Sequence, residues 1–207
     1  MLLTRFRWPL RLLCCALLGA LVAELSWRLF SRGQELQAGT AVRLSTQGLV
    51  DGSDLIVEGW VRGLKALRQP DGVVDTDYEL EVGTLLYGEG GGVLTLRLPG
   101  GVLPDGSGML LPGVDAPGVG SRVLWFLSAP GADQRRMPIG LSQGSWRLLP
   151  TTDGGWLAQR GGAGVGLLDA ENPEQSLGSG AVLRPYGELL AEVEAAIGAR
   201  RAREAGR

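Results

Sequence analysis

The sequence predicts a mainly β domain, a small barrel or sandwich followed by a C-terminal helix that docks on it or projects from it, and three observations predict it. Glycine accounts for 34 of the 207 residues, a density that supplies many tight turns and therefore favours short strands over long helices. Between those turns, apolar and polar residues alternate at period two, the pattern of a strand with one face buried and one wet. A helical period is convincing in one segment only, Glu188–Arg203. With 44% hydrophobic and 20% charged residues the chain is globular in composition and can build a core of its own.

Taken in order, residues 24–40 are mixed and polar and read as a linker, and a β domain is expected over 41–160. Asp54–Leu67 (DLIVEGWVRGLKAL) is rich in Ile, Val and Trp and predicts a long strand. Gly59 and Gly63 in it mark points of bending or of close approach by a neighbour. Gln69-Pro70-Asp71-Gly72 is a turn signal. Val74–Tyr87 then sets Tyr78, Leu80 and Val82 against Asp77, Glu79 and Glu81, the clearest alternation in the chain. After the glycine turn Gly88–Gly92, Val93–Leu98 alternates again, and the two strands predict a hairpin. Pro99–Gly120 is too rich in Gly and Pro for regular structure, and long loops of this kind are often functional. Val123–Leu127 (VLWFL) is a continuous apolar run, expected of a central strand buried on both faces. Short strands are expected near Ile139–Leu141, Ser145–Leu149 and Trp156–Gln159. Residues 161–183 read as a connector, and 184–207 as an amphipathic helix with Leu189, Leu190, Val193 and Ile197 on one face. Its acids lie early and its arginines late, which suits the helix dipole.

The N-terminus reads as an export signal over residues 1–23. Arg5, Arg7 and Arg11 lead the uncharged apolar run Leu12–Ala23, and Ala23 offers a small residue for cleavage. The run is 12 residues long, against about 20 for a membrane-spanning helix, so an uncleaved anchor would have to include Glu24 and Arg28. Both readings place the body outside the cytoplasm, in the periplasm, secreted or anchored to the inner membrane, with membrane contact through residues 1–23 if they are retained. Leu13 before Cys14 argues against lipidation.

Two absences narrow the chemistry. No histidine occurs, which removes the commonest general base and metal ligand. The two cysteines, Cys14 and Cys15, both fall inside the apolar leader, so the body is expected to hold together without disulfides. Serine–histidine and cysteine–histidine nucleophile systems are thereby excluded, as are ordinary zinc sites. The formal net charge is −2, and it becomes more negative without the leader arginines, which disfavours nucleic acid as a partner.

The succession SDLIVEGWV, TDYELEVGTLLYG, VLTLRLPGG, PGVGSRVLWFLS and IGLSQGSWRLLP resembles a group of exported bacterial β proteins of uncharacterised activity, over about residues 45–160. Its strand order is similar to the OB-like barrels of netrin and metalloproteinase-inhibitor (NTR) domains. The resemblance implies an OB-like fold and gives no catalytic residues to carry over. The inhibitor domains depend on an N-terminal cysteine that this body lacks, and Tyr87-Gly88 stands where the group has a basic residue before the glycine.

The candidate sites follow from these limits. Asp75, Asp77, Glu79 and Glu81 share one strand face and could meet Ca²⁺, but a flat strand cannot wrap one ion, and a solvated outer face is the expected role. Asp51-Gly-Ser-Asp54 lacks the rest of a calcium loop and reads as a turn. No residue is assigned a catalytic, metal or cofactor role, and no cofactor is expected. Trp146 and Trp156 are expected as an exposed pair near a hairpin, and Met109 and Leu110 as apolar points of the Pro99–Gly120 loop; these four are the candidate partner contacts. The expected function is a non-catalytic extracytoplasmic module that binds an envelope protein or glycan, the alternative being a carboxylate-dependent hydrolase or a protease-inhibitor-like domain.

Overall fold

The computed structural model describes residues 40–111, 114, 116–161, 166–168 and 182–206; the expected signal or anchor at 1–23 lies outside them. The described chain runs β1 (Thr40–Val42), α1 (Thr46–Gly52), β2 (Leu55–Arg68), β3 (Val74–Tyr87), β4 (Val93–Pro99), β5 (Gly101–Val102), β6 (Gly108–Met109), β7 (Arg122–Leu127), β8 (Ser145–Pro150), β9 (Trp156–Arg160), β10 (Gly166–Leu168), β11 (Val182–Pro185) and α2 (Tyr186–Ala205). Seven strands form one antiparallel sheet in the order β11-β9-β8-β7-β2-β3-β4. Two small sheets, parallel β1–β10 and the β5–β6 hairpin, accompany it.

The main strands follow their hydrophobic patterns. In β3, Tyr78 faces Leu64 of β2 on one side and Leu96 of β4 on the other, and Leu80 faces Val61 and Leu94. Alternation thus becomes one apolar face, buried at Val61, Tyr78, Leu80 and Leu96 and exposed at Leu64. β7 has no alternation because both of its faces are covered, and Val123–Leu127 is fully buried. The start of β2 is the same: Leu55, Ile56 and Val57 are all buried.

Two clusters therefore share these strands. On one face, Leu55, Val57, Tyr78, Leu96, Val123 and Trp125 pack together, with the Tyr78 and Trp125 rings tilted at 6.5 Å. On the other, Ile56, Leu124, Phe126, Trp146 and Leu148 meet Leu49 and Val50 of α1 and Leu189, Val193 and Ile197 of α2. The C-terminal helix docks on the sheet and is part of the core. The mainly β expectation holds; among the described residues no closed barrel forms, and the main sheet is open with β4 and β11 at its edges. Single bridges, Leu96–Arg136 and Leu127–Pro138, stand where a further strand would close it. The turn Gly131–Gln134 and Pro138, which has no N–H to donate, keep that segment short of a strand.

Two expectations are corrected. Ile139–Leu141 is a turn entering a 3₁₀ segment, Leu141–Gly144, and not a strand. Gly140 there has φ +61°, and extended pairing ends where the chain turns left-handed. The short helix α1 was not expected, since TQGLVDG is too brief and glycine-bearing to show a period. Its signal is the N-cap: Ser45 accepts a hydrogen bond from the Gly48 N–H at 3.1 Å.

Gly59 and Gly63 divide the two roles expected of them. A Cβ on Gly59 would lie 2.3 Å from the Glu81 carbonyl oxygen, whereas one on Gly63 would meet nothing nearer than 3.5 Å. Gly59→Ala is expected to cost about 1–3 kcal/mol, as overpacking against backbone does, and Gly63→Ala less than about 0.5 kcal/mol. Urea denaturation of the two variants checks the contrast.

Candidate functional site

The Pro99–Gly120 loop is held by hydrogen bonds at both ends and carries exposed apolar side chains. At the entry, the Gly100 N–H donates to the Val74 carbonyl (2.7 Å) and the Thr76 hydroxyl donates to the Gly100 carbonyl (2.7 Å). Gly101 sits so close to Thr76 that a Cβ would lie 2.1 Å from its Oγ1, which is why the chain runs Pro-Gly-Gly here. At the exit, the Gly120 N–H donates to Val61 O (2.8 Å). The β5–β6 hairpin between them is tied back by Arg68, whose guanidinium donates to Ser107 Oγ (3.0 Å).

On this frame, Val102, Leu110 and Val119 stand 60%, 82% and 62% exposed. Of these Leu110 also lines, with Tyr78, Leu98, Met109, Leu111 and Val114, an uncharged slot of about 70 Å³. Met109 and Leu110 are thus brought together at one lip, as adjacent residues of the loop.

The tryptophan pair does not join them. Trp146 is 4% exposed, not an exposed residue as expected. It pairs across the sheet with Leu124 on the face that α2 covers, and the Arg160 guanidinium lies 4.7 Å over its ring. Burial, with Arg43 and Arg184 nearby, pulls Arg160 below its ordinary pKa. Trp156 is half-buried, and Arg122 stacks on it at 4.3 Å and on Trp60 at 5.4 Å.

That Arg122 belongs to a buried polar cluster which the sequence reading missed. Glu58, 4% exposed, accepts from Arg122 and from the Tyr186 hydroxyl at the start of α2. Burial first, and then the bond to Glu58, raise the Tyr186 pKa far above its ordinary value. The signal was present: Glu58 shares the strand parity of Ile56 and Trp60, so a charge was set on a buried face, where it must be paired. The cluster joins α2 to the sheet and opens onto no cavity among those described.

Three of the four acids of the β3 stripe, Asp75, Asp77 and Glu81, lie against arginines. Asp77 accepts from Arg97 (2.8 and 3.1 Å) and Arg135 (3.0 Å), Asp75 lies 3.9 Å from Arg97, and Glu81 pairs with Arg62. Burial alone would raise Asp77, but the hydrogen bonds and charges of Arg97 and Arg135 outweigh it and hold it below its ordinary 3.8. Asp51 lies in the last turn of α1, paired with Arg203, and Asp54 pairs with Arg136. Among the described residues no group of three or more Asp, Glu, His or Cys is placed to hold a metal ion.

No family model, curated protein or solved structure matches the chain.

The Asp77 environment fixes a pH dependence. A carboxyl held below its unfolded value contributes stability that is present above that value and lost as pH falls through the folded one. Asp77→Asn should therefore lower the urea midpoint at pH 7, and the gap to the unsubstituted chain should close below pH 3.8. A gap that stays constant from pH 7 into the acid range would contradict the pairing.

Proposed function

We propose that this chain is a non-catalytic extracytoplasmic module of the bacterial envelope, and that it takes a protein partner on the Pro99–Gly120 loop. The observation that carries the reading is the contrast within that loop: hydrogen bonds fix its base while Val102, Leu110 and Val119 are left in water. Exposed apolar side chains scattered singly need no explanation, but three on one anchored loop, of which Leu110 lines an uncharged slot, suit a partner's apolar surface. The slot is sized for one small side chain, and loops on rigid β scaffolds commonly carry recognition. The envelope assignment rests on the arginine-led apolar leader in the sequence.

The finer OB-like reading of the fold is part of the same proposal. The bridges at Arg136 and Pro138 lie between β4 and β7, where an OB-like barrel would close. The acids that a carboxylate-dependent hydrolase would need are largely engaged by arginines, which supports the binding reading over that alternative.

A photo-crosslinking side chain at Leu110, carried by the full chain in its native envelope, tests the proposal. A discrete adduct is expected from position 110 and not from the exposed turn residue Asp153. Replacing Val102 and Val119 with Ser should abolish the adduct while leaving the thermal midpoint unchanged. The same adduct from position 153, or one indifferent to both serines, would overturn the assignment.

A further inference from the structure

At the other end of β3 from the loop, Tyr87 closes the strand beside an open cleft of about 550 Å³. Its lining brings together Tyr87, Arg136, Arg200 and Arg201 with the carboxylates of Asp54 and Glu89. The arginines come from two separate places, Arg136 from the segment before the 3₁₀ turn and the others from the last turns of α2.

Two of the three guanidiniums are fixed before any ligand arrives. Arg200 Nη1 donates to the carbonyls of Val50 (2.6 Å) and Ser53 (2.5 Å), capping the end of α1, and its Nε donates to Glu204 (2.8 Å). Arg136 Nη1 donates to Asp54 (2.5 Å) and to the Ser128 carbonyl (2.7 Å). The Tyr87 ring braces the group, with Arg200 at 4.4 Å and Arg201 at 5.9 Å, and its hydroxyl donates to Glu204 at 3.1 Å. The arginine-rich end of α2 is therefore built into the fold at Arg200.

A guanidinium carries five N–H donors in a planar fork. After these bonds, Arg200 Nη2, Arg136 Nε and Nη2, and all of Arg201 have no acceptor among the described residues. The acceptors are already engaged: Asp54 by Arg136, and Glu204 by Arg200 and Tyr87. Glu89 is the one lining carboxylate outside an ion pair among the described residues. Counted with Glu204, the acids balance the arginines in charge, so the surplus is one of hydrogen-bond donors. Such a surplus, converging from two elements, suits a tetrahedral oxyanion better than a planar one, which a single fork satisfies.

We propose that this cleft binds a phosphate group, with Arg201 and the free edges of Arg136 and Arg200 as its donors. The group can belong to a soluble phosphate or to a phospholipid head, and the chemistry at the cleft is the same. The inference does not depend on the loop, which lies at the opposite end of β3.

The test titrates the full chain with inorganic phosphate at ionic strength held constant with chloride, reading the thermal midpoint. Binding to phosphatidylcholine vesicles with and without phosphatidic acid is read in parallel. A midpoint that rises with phosphate concentration, or vesicle binding that requires phosphatidic acid, is the expected result, and which of the two occurs identifies the source. Arg201→Gln, an exposed substitution that should leave the ligand-free midpoint unchanged, should weaken that response at least tenfold; Arg136→Gln should do the same. The proposal is overturned by no response to either probe, by acetate acting as strongly as phosphate, or by Arg201→Gln binding like the unsubstituted chain.

Discussion

Burial of two strands on both faces is the constraint from which the rest of this structure follows. The start of β2 and Val123–Leu127 of β7 present apolar side chains in both directions, and a sheet cannot leave either set in water. One set is covered by the curl of β3 and β4 over Val57, Val123 and Trp125. The other is covered by α1 and α2, which lay Leu49, Leu189, Val193 and Ile197 over Ile56, Leu124 and Phe126. Each fully buried aliphatic or aromatic side chain is worth about 1.5–3 kcal/mol relative to exposure. The helix at the C-terminus is thus held by the same strands that organise the sheet.

The polar features are arranged around that two-sided core. Glu58 lies on the helix-covered face and would be costly there alone, and Arg122 and Tyr186 offset its burial by bonding both of its oxygens. Arg200 donates to the Val50 and Ser53 carbonyls at the end of α1. Both contacts tie α2 to residues far away in sequence, and both leave α2 in one orientation. The two binding regions proposed lie beyond this core, at opposite ends of β3, where no strand has to be covered.

What could be read in the sequence was what is local. β3 is legible in full because one face is wet, so its alternation survives, and Val74–Tyr87 is the strand found. β7 is legible from its uninterrupted VLWFL run, and the Pro-Gly-Gly entry to the loop from its composition. Burial of Trp146 was not legible, because strand period assigns it a face without saying that a helix from residue 186 onward covers that face. The Glu58–Tyr186 bond spans 128 residues, and the Tyr87–Glu204 bond spans 117. No window of sequence contains either pair. The single bridges at Arg136 and Pro138, where a barrel was expected to close, depend likewise on a turn whose geometry no hydrophobic pattern records.

Native-state hydrogen exchange tests the two-sided core most directly. If α2 completes that core, the amides of Val193 and Ile197 should open with the same free energy as those of Ile56 and Phe126, in one cooperative unit. Exchange of α2 at a much lower free energy, with β2 and β7 still protected, would show that the sheet stands without its helix and would contradict the account.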